Sequence, residues 1–208
     1  MQPFHQTDTA TIYNEPTERL LLSLEPETVD ALITDPPYSS GGQFRSDKAR
    51  DPSVKYCHSG KTLGRISFGG DNRDQLSFEY WCVLWMQQCH RILKPGGYAM
   101  LFTDWRQLPT ITNVFQAAGF IWRGIVPWDK GRGARAPHKG FFRHQCEYIV
   151  WGTKGKIPKA THDGPFEGFV RGPVRQADKF HISAVLQDGV GERYGFRGEF
   201  GGLLIRRL

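Results

Sequence analysis

The chain has 208 residues, 39 % hydrophobic and 23 % charged, enough apolar content for one well-packed domain rather than a disordered segment. No apolar run approaches the ~20 residues of a membrane span, the polar Met1–Ala10 start does not read as a secretory leader, and four cysteines without CxxC spacing fit neither a zinc ribbon nor a disulfide scaffold, which points to a reducing cytoplasm. The formal charge of +6 is uneven: Met1–Tyr38 holds seven acidic residues and one basic, whereas Arg123–Lys179 holds twelve basic and five acidic with Trp128, Phe141, Phe142 and Phe166 interleaved, the pattern of a polyanion partner, nucleic acid first.

In chain order, Thr11–Asn14 reads as a short strand. Thr17–Leu24 reads as a short helix behind Pro16, with Leu20, Leu21 and Leu24 at helical spacing. Val29–Thr34 is a compact apolar strand that must end at Asp35-Pro36-Pro37, because neither proline can donate to a ladder. Ser39–Arg73, rich in Gly and Ser, reads as a long loop. Gln75–Leu93 is the clearest helix. Phe78, Trp81, Cys82, Trp85, Cys89, Ile92 and Leu93 share one face, Asp74 can cap its start, and Lys94-Pro95-Gly96-Gly97 should stop it. Tyr98–Phe102 reads as a buried strand and Gln107–Ala118 as a second helix with Pro109 in its first turn. Phe120–Val126 and Cys146–Trp151 read as two strands around a basic, Gly-rich Lys130–Arg143 loop. This alternation predicts an α/β sheet with parallel strands and a terminal antiparallel hairpin, with ligands at the carboxyl ends of the strands. Asp35–Tyr38 and Thr103–Arg106 occupy that rim.

Asp35-Pro36-Pro37-Tyr38 is the candidate catalytic segment. The amino group of a nucleobase is a poor nucleophile because its lone pair is delocalised into the ring. A site that methylates it needs acceptors aimed at its N–H protons; the Asp35 carboxylate and the Pro36 carbonyl supply two, held by a stiff proline pair. Tyr38 offers a π-face for an extruded base, a contact worth ~1–3 kcal/mol. The plain alternative is a capped strand end with a structural Pro-Pro turn. A metal site from Cys57-His58 and Cys89-His90 is set aside, since Cys89 lies on the apolar helix face.

With that motif go Ile12–Tyr38 (IYNEPTERLLLSLEPETVDALITDPPY), His90–Gly97 (HRILKPGG), Leu101–Arg106 (LFTDWR), Phe120–Lys130 (FIWRGIVPWDK) and Cys146–Lys154 (CEYIVWGTK). In that order they resemble the amino-group (N6-adenine/N4-cytosine) DNA methyltransferases, in the subgroup whose catalytic motif precedes its cofactor motif. The resemblance covers roughly residues 11–156. It implies a Rossmann-like methyltransferase sheet, S-adenosylmethionine as cofactor and double-stranded DNA as partner, with no membrane and no metal. Asp35, Pro36, Pro37 and Tyr38 would hold the flipped base, and Asp rather than Ser at position 35 leans towards adenine. Thr103, Asp104 and Trp105 would line the same pocket. The insertions 39–73 and 130–143 would contact DNA, through Arg45, Lys48, Arg132, Arg135, Lys139 and Arg143.

The chain departs from the family at three places. Glu15-Pro16 stand where the family has Gly-Asp. Lys179–Ser183 is followed by Ala184-Val185 rather than Lys-Pro. No Phe-x-Gly-x-Gly follows, the nearest echo being Phe196–Phe200. The domain is therefore expected to run over 1–183, with a frame that ends near Ser183 by frameshift or truncation. Residues 184–208 would be a poorly ordered tail, and the strand ending at Asp35 would lie beside a gap. Cofactor-binding residues cannot be assigned, and weak or no binding of S-adenosylmethionine by this chain is expected. Two other classes stay open: a non-catalytic DNA-binding remnant or half of a split enzyme completed by a partner chain, and a methyltransferase acting on RNA or a protein amide.

Overall fold

The computed structural model describes residues 2–8, 10–39, 73–131, 139–158, 165–172 and 203–206. The elements are β1 (His5–Gln6), β2 (Thr11–Ile12), α1 (Thr17–Ser23), β3 (Val29–Thr34), α2 (Gln75–Ile92), β4 (Leu93–Thr103), α3 (Leu108–Ala117), β5 (Ile121–Asp129), β6 (Cys146–Thr153), β7 (Val170–Arg171) and β8 (Leu203–Arg206). The first two strands form a small sheet of their own; the other six form one sheet in the order β7-β5-β6-β4-β3-β8.

The sheet is mixed rather than dominated by parallel pairs. β3 and β4 run parallel, as do β5 and β7, while β6 is antiparallel to both β4 and β5. The expected hairpin of β5 and β6 is present, and β6 wedges between β5 and β4. At the far edge Leu203–Arg206 pairs antiparallel with Ala31–Thr34. This corrects the expectation of a bare β3 edge and a poorly ordered tail for these four residues. Main-chain donors and acceptors along a buried apolar strand require partners, and the apolar end of the tail supplies them. Residues 184–202 and 207–208 lie outside the described residues, as do 40–72.

The helices follow their sequence signals. Asp74 accepts a hydrogen bond from the Ser77 amide at 2.8 Å and caps α2, and its carboxyl is held below the ordinary value by that bond. α2 ends at Ile92, and the chain turns extended at Leu93. The Lys94–Gly97 stop thus falls inside β4, where the pairing jumps from Leu93 to Tyr98 opposite Val29 and Ala31. Gly97 is needed there, because a Cβ would lie 2.8 Å from the Asp30 carbonyl. The short Thr11–Asn14 strand shrinks to two residues that pair with β1 instead of joining the main sheet.

Alternation along the strands divides the core in two. Leu32, Ala99, Leu101 and Val150 join α1, α2 and α3 in the larger cluster, with Leu21, Phe78, Met86, Ile92, Val114 and Phe115 wholly buried. Ile33, Phe102 and Ile149 point to the other face, where Tyr38, Met100, Val126 and Trp128 pack in part against them. Cys82 and Cys89 lie in the larger cluster, and burial pushes the Cys82 thiol up to about 12 and that of Cys89 higher still. His90 packs edge-on against Phe120 at 5.0 Å between centroids.

Candidate active site

The smaller face leads to the site. Two residues beyond the last apolar position of each strand on this face stands a charged residue at the same end of the sheet. Ile33 leads to Asp35, Phe102 to Asp104 and Trp128 to Lys130; on the antiparallel β6, Ile149 leads back to Glu147. A period of two therefore delivers three carboxyl groups and one ammonium to one rim.

Asp35 follows β3 directly, and Ser39, fully turned inward, takes a left-handed φ of 52° that closes the Pro-Pro segment. The Tyr38 hydroxyl donates to Asp35 Oδ1 at 2.5 Å, and its ring lies on the Ile33–Phe102–Ile149 cluster. Burial raises the Asp35 carboxyl from 3.8 to about 6; the Tyr38 bond opposes the rise, the Glu147 charge adds to it, and the Lys130 charge opposes it. Tyr38 is pushed well above its ordinary value by burial, then by Asp35 and Glu147, so it remains a phenol and a donor.

Lys130 lies 4.8 Å above the Trp128 ring and forms an ion pair with Glu147. Trp128 meets Phe102 edge-on at 5.9 Å. A shallow open groove of about 270 Å³, lined by Asp129, Lys130, Gly131, Arg171 and Gly172, runs beside this pair. From sequence, Lys130 and Glu147 receive no site role, and Trp128 counts only as one of the aromatics interleaved in the basic half. The signal was available in the strand period of Phe120–Lys130 and Cys146–Trp151, continued two residues past the last apolar position.

The expected pocket set divides. Asp104 spends its carboxylate on the start of α3, accepting from the Arg106 and Gln107 amides at 3.0 Å each and pairing with Arg106. Trp105 is 45 % exposed and stacks on His144 at 5.2 Å, with the Arg106 guanidinium 4.8 Å over its ring. Thr103 keeps the parity of Leu101 and is fully buried. Next to His144 stand Lys139, Phe141, Phe142 and Arg143, all exposed, with Phe142 93 % accessible. Arg45, Lys48, Arg132 and Arg135 lie outside the described residues, as does Cys57-His58.

The rim thus pairs a buried acceptor and an aromatic donor with an exposed basic and aromatic arm. The DNA methylase family model of the N6/N4 type matches residues 29–187. The chain belongs to the amino-group DNA methyltransferases. It is similar to the type II methyltransferase M.BglII of Bacillus subtilis, 28 % identical over 183 residues, which cover 82 % of this chain and 41 % of the relative. Among solved structures it is similar to the PvuII DNA methyltransferase (cytosine-N4-specific), with a TM-score of 0.57 at 12 % identity over 94 % of this chain and 68 % of that one. The M1.HpyAVI–SAM complex gives a TM-score of 0.52 at 14 % identity over 86 % and 76 %. These likenesses place the fold among methyltransferases. The chain spans about half the length of the curated relatives it matches. No helix among the described residues is long and apolar enough to cross a membrane.

The described residues place a buried carboxylate and an aromatic donor at this rim, and the glycines among them lie elsewhere or in the open. The crowded glycines, Gly96, Gly97 and Gly152, are pressed by Pro158, by the Asp30 carbonyl and by Phe115. They lie towards the end of the sheet remote from Asp35, and Gly131 at the rim has open space around it. None of them forms a cradle into which the amino-acid end of S-adenosylmethionine fits.

Proposed function

We propose that this chain serves methyl transfer from S-adenosylmethionine to the exocyclic amino group of a base turned out of double-stranded DNA, with adenine N6 favoured over cytosine N4. The observation that carries the reading is the Tyr38–Asp35 hydrogen bond over the apolar floor. It marks an acceptor that is built, buried and already holding a donor. An amino group entering the site would replace the Tyr38 hydroxyl at Asp35 Oδ1 and give a second N–H to the Pro36 carbonyl, which draws density onto the nitrogen. Bound at its own site, the cofactor would supply the electrophilic methyl. With its value near 6, Asp35 is mostly ionised at neutral pH and can accept that bond.

The exposed Lys139, Arg143 and Arg106, with Phe141, Phe142 and Trp105 between them, support a polyanion partner: the cations suit phosphates and the rings suit bases. The test is methyl transfer from labelled S-adenosylmethionine to unmethylated genomic DNA, followed by nucleoside analysis. N6-methyladenine from the wild type and none from Asp35→Ala is the expected result; N4-methylcytosine would reassign the base.

A second reading is favoured by the described cofactor side. β8 occupies the edge of β3, and no described glycine turn cradles a cofactor. On this reading the chain binds DNA and acts only with a partner chain that completes the cofactor site. DNA binding without calorimetric uptake of S-adenosylmethionine would select it.

A further inference from the structure

Lysine carries three donors on a flexible stem and will saturate any carboxylate within its reach. Among the described side chains, Lys130 is the cation whose charge acts on Asp35, yet Asp35 takes its hydrogen bond from Tyr38. Lys130 is held elsewhere, between the Glu147 carboxylate and the Trp128 ring. The other charged groups facing this rim are accounted for. Asp104, beyond β4, is occupied by the start of α3 and Arg106, and Tyr38 is a neutral donor.

We propose that Glu147 is a positioning residue that keeps Lys130 off Asp35, so that the Asp35 carboxyl stays open to an incoming amino group. The proposal rests on the reading that Asp35 receives that group, but its test needs neither DNA nor cofactor. A pair on two strands of a sheet is a rigid place for such a device, because Trp128 and Glu147 face each other in register across β5 and β6. The Lys130 charge still acts on Asp35 while its ammonium is engaged with Glu147.

The experiment follows the Asp35 side-chain carboxyl by ¹³C resonance against pH, its peak assigned by loss in Asp35→Asn. In wild type the midpoint is expected near 6. Glu147→Gln frees Lys130 to pair with Asp35 and should lower the midpoint by about one unit or more. Lys130→Met removes the cation and should raise it. The double variant should return the midpoint to within about half a unit of wild type. Direct charge effects also move the two single variants in opposite directions, so the cycle decides: Glu147→Gln should lower the midpoint more in wild type than in the Lys130→Met background, and equal drops in both backgrounds overturn the proposal. An unchanged or raised midpoint in Glu147→Gln, or a lowered one in Lys130→Met, overturns the proposal. If a single variant does not fold, Glu147→Ala or Lys130→Ala takes its place in the cycle; failure of these to fold makes the pair structural and also overturns the proposal. The expected signs in a chain that methylates nothing would leave this inference standing and remove the methyl-transfer reading.

Discussion

The two faces of the central sheet are built from the same strands and serve different ends. On one face Leu32, Leu101 and Val150 meet three helices, and the cluster reaches complete burial at Phe78, Phe115, Met86 and Ile92. On the other, Ile33, Phe102 and Ile149 form a thin floor whose next neighbours are Tyr38, Trp128 and then the charged rim. Adjacent residues of one strand thus belong to different economies. Tight packing on the helix side holds the strands in register, and that register sets the spacing of the groups on the open side. The site face keeps buried charge because the helix face supplies the stability to bear it.

The sharpest way to break this division is mutation on the helix face. Phe115→Ala should cost about 3–5 kcal/mol of unfolding free energy, since the ring is fully buried between α3 and the sheet. Leu32→Ala should cost about 2–5 kcal/mol, and its neighbour Ile33→Ala about half as much as Leu32→Ala, because Ile33 sits on the thin floor and retains some exposure. Urea unfolding of the pair is the check. Equal losses would mean that the second face is as tightly packed as the first.

Next in size is the charge on the site face. Asp35 has a folded-state value near 6 against 3.8 for an unperturbed carboxyl. Between those values the folded chain binds more proton than the unfolded one, so stability falls as pH rises from about 4 to about 6 and the cost is present in full above that window. Asp35→Asn removes it and can still accept from Tyr38. The variant should be more stable than wild type by about 3 kcal/mol at pH 8, with no difference below about pH 4. Urea titrations at pH 8 and pH 4 measure both. Equal stability at pH 8 would show that Asp35 ionises without strain, and the idea of a poised acceptor would fail.

The contrast also explains what was legible beforehand. The helix face was readable because burial imposes a period of 3.6: Phe78, Cys82, Trp85, Cys89 and Ile92 were all placed on it from spacing, and all are buried. Met86 was missed although it lies one residue beyond Trp85, inside the same wide stripe. Asp35 and Tyr38 were legible because two prolines end a strand unambiguously. Lys130 and Glu147 are legible only in part: Lys130 lies just past a strand, where a charge is the ordinary start of a loop, and Glu147 lies inside one, so the period gives each a face but no partner. Only pairing β5 with β6 shows that both stand on the face of Asp35. Pairing between distant strands is also why Leu203–Arg206 read as a tail, since four residues carry too little period to name a partner 170 residues away.

The smallest expected effect concerns the arm at the edge of the site face. Lys139 and Arg143 are exposed and flank two exposed phenylalanines, beside the Trp105–His144 stack. If they meet phosphates, each contact released from the duplex contributes about 0.9 to the slope of log affinity against log salt. The Lys139→Ala/Arg143→Ala double variant should therefore bind duplex DNA more weakly at low salt and lower the slope by roughly 1.8, two contacts' worth. Arg19 is the control. Its side chain is 75 % exposed on α1, on the helix side, and pairs with Glu15 at 3.7 Å. Replacing it removes a comparable exposed cation from the other half of the comparison, so Arg19→Ala should leave the slope within error of wild type. Equal slope changes in both variants would assign the salt dependence to net charge alone, with no preferred face. An unchanged slope in the double variant would remove the arm from the DNA contact and leave the polyanion to the basic segments on either side of it.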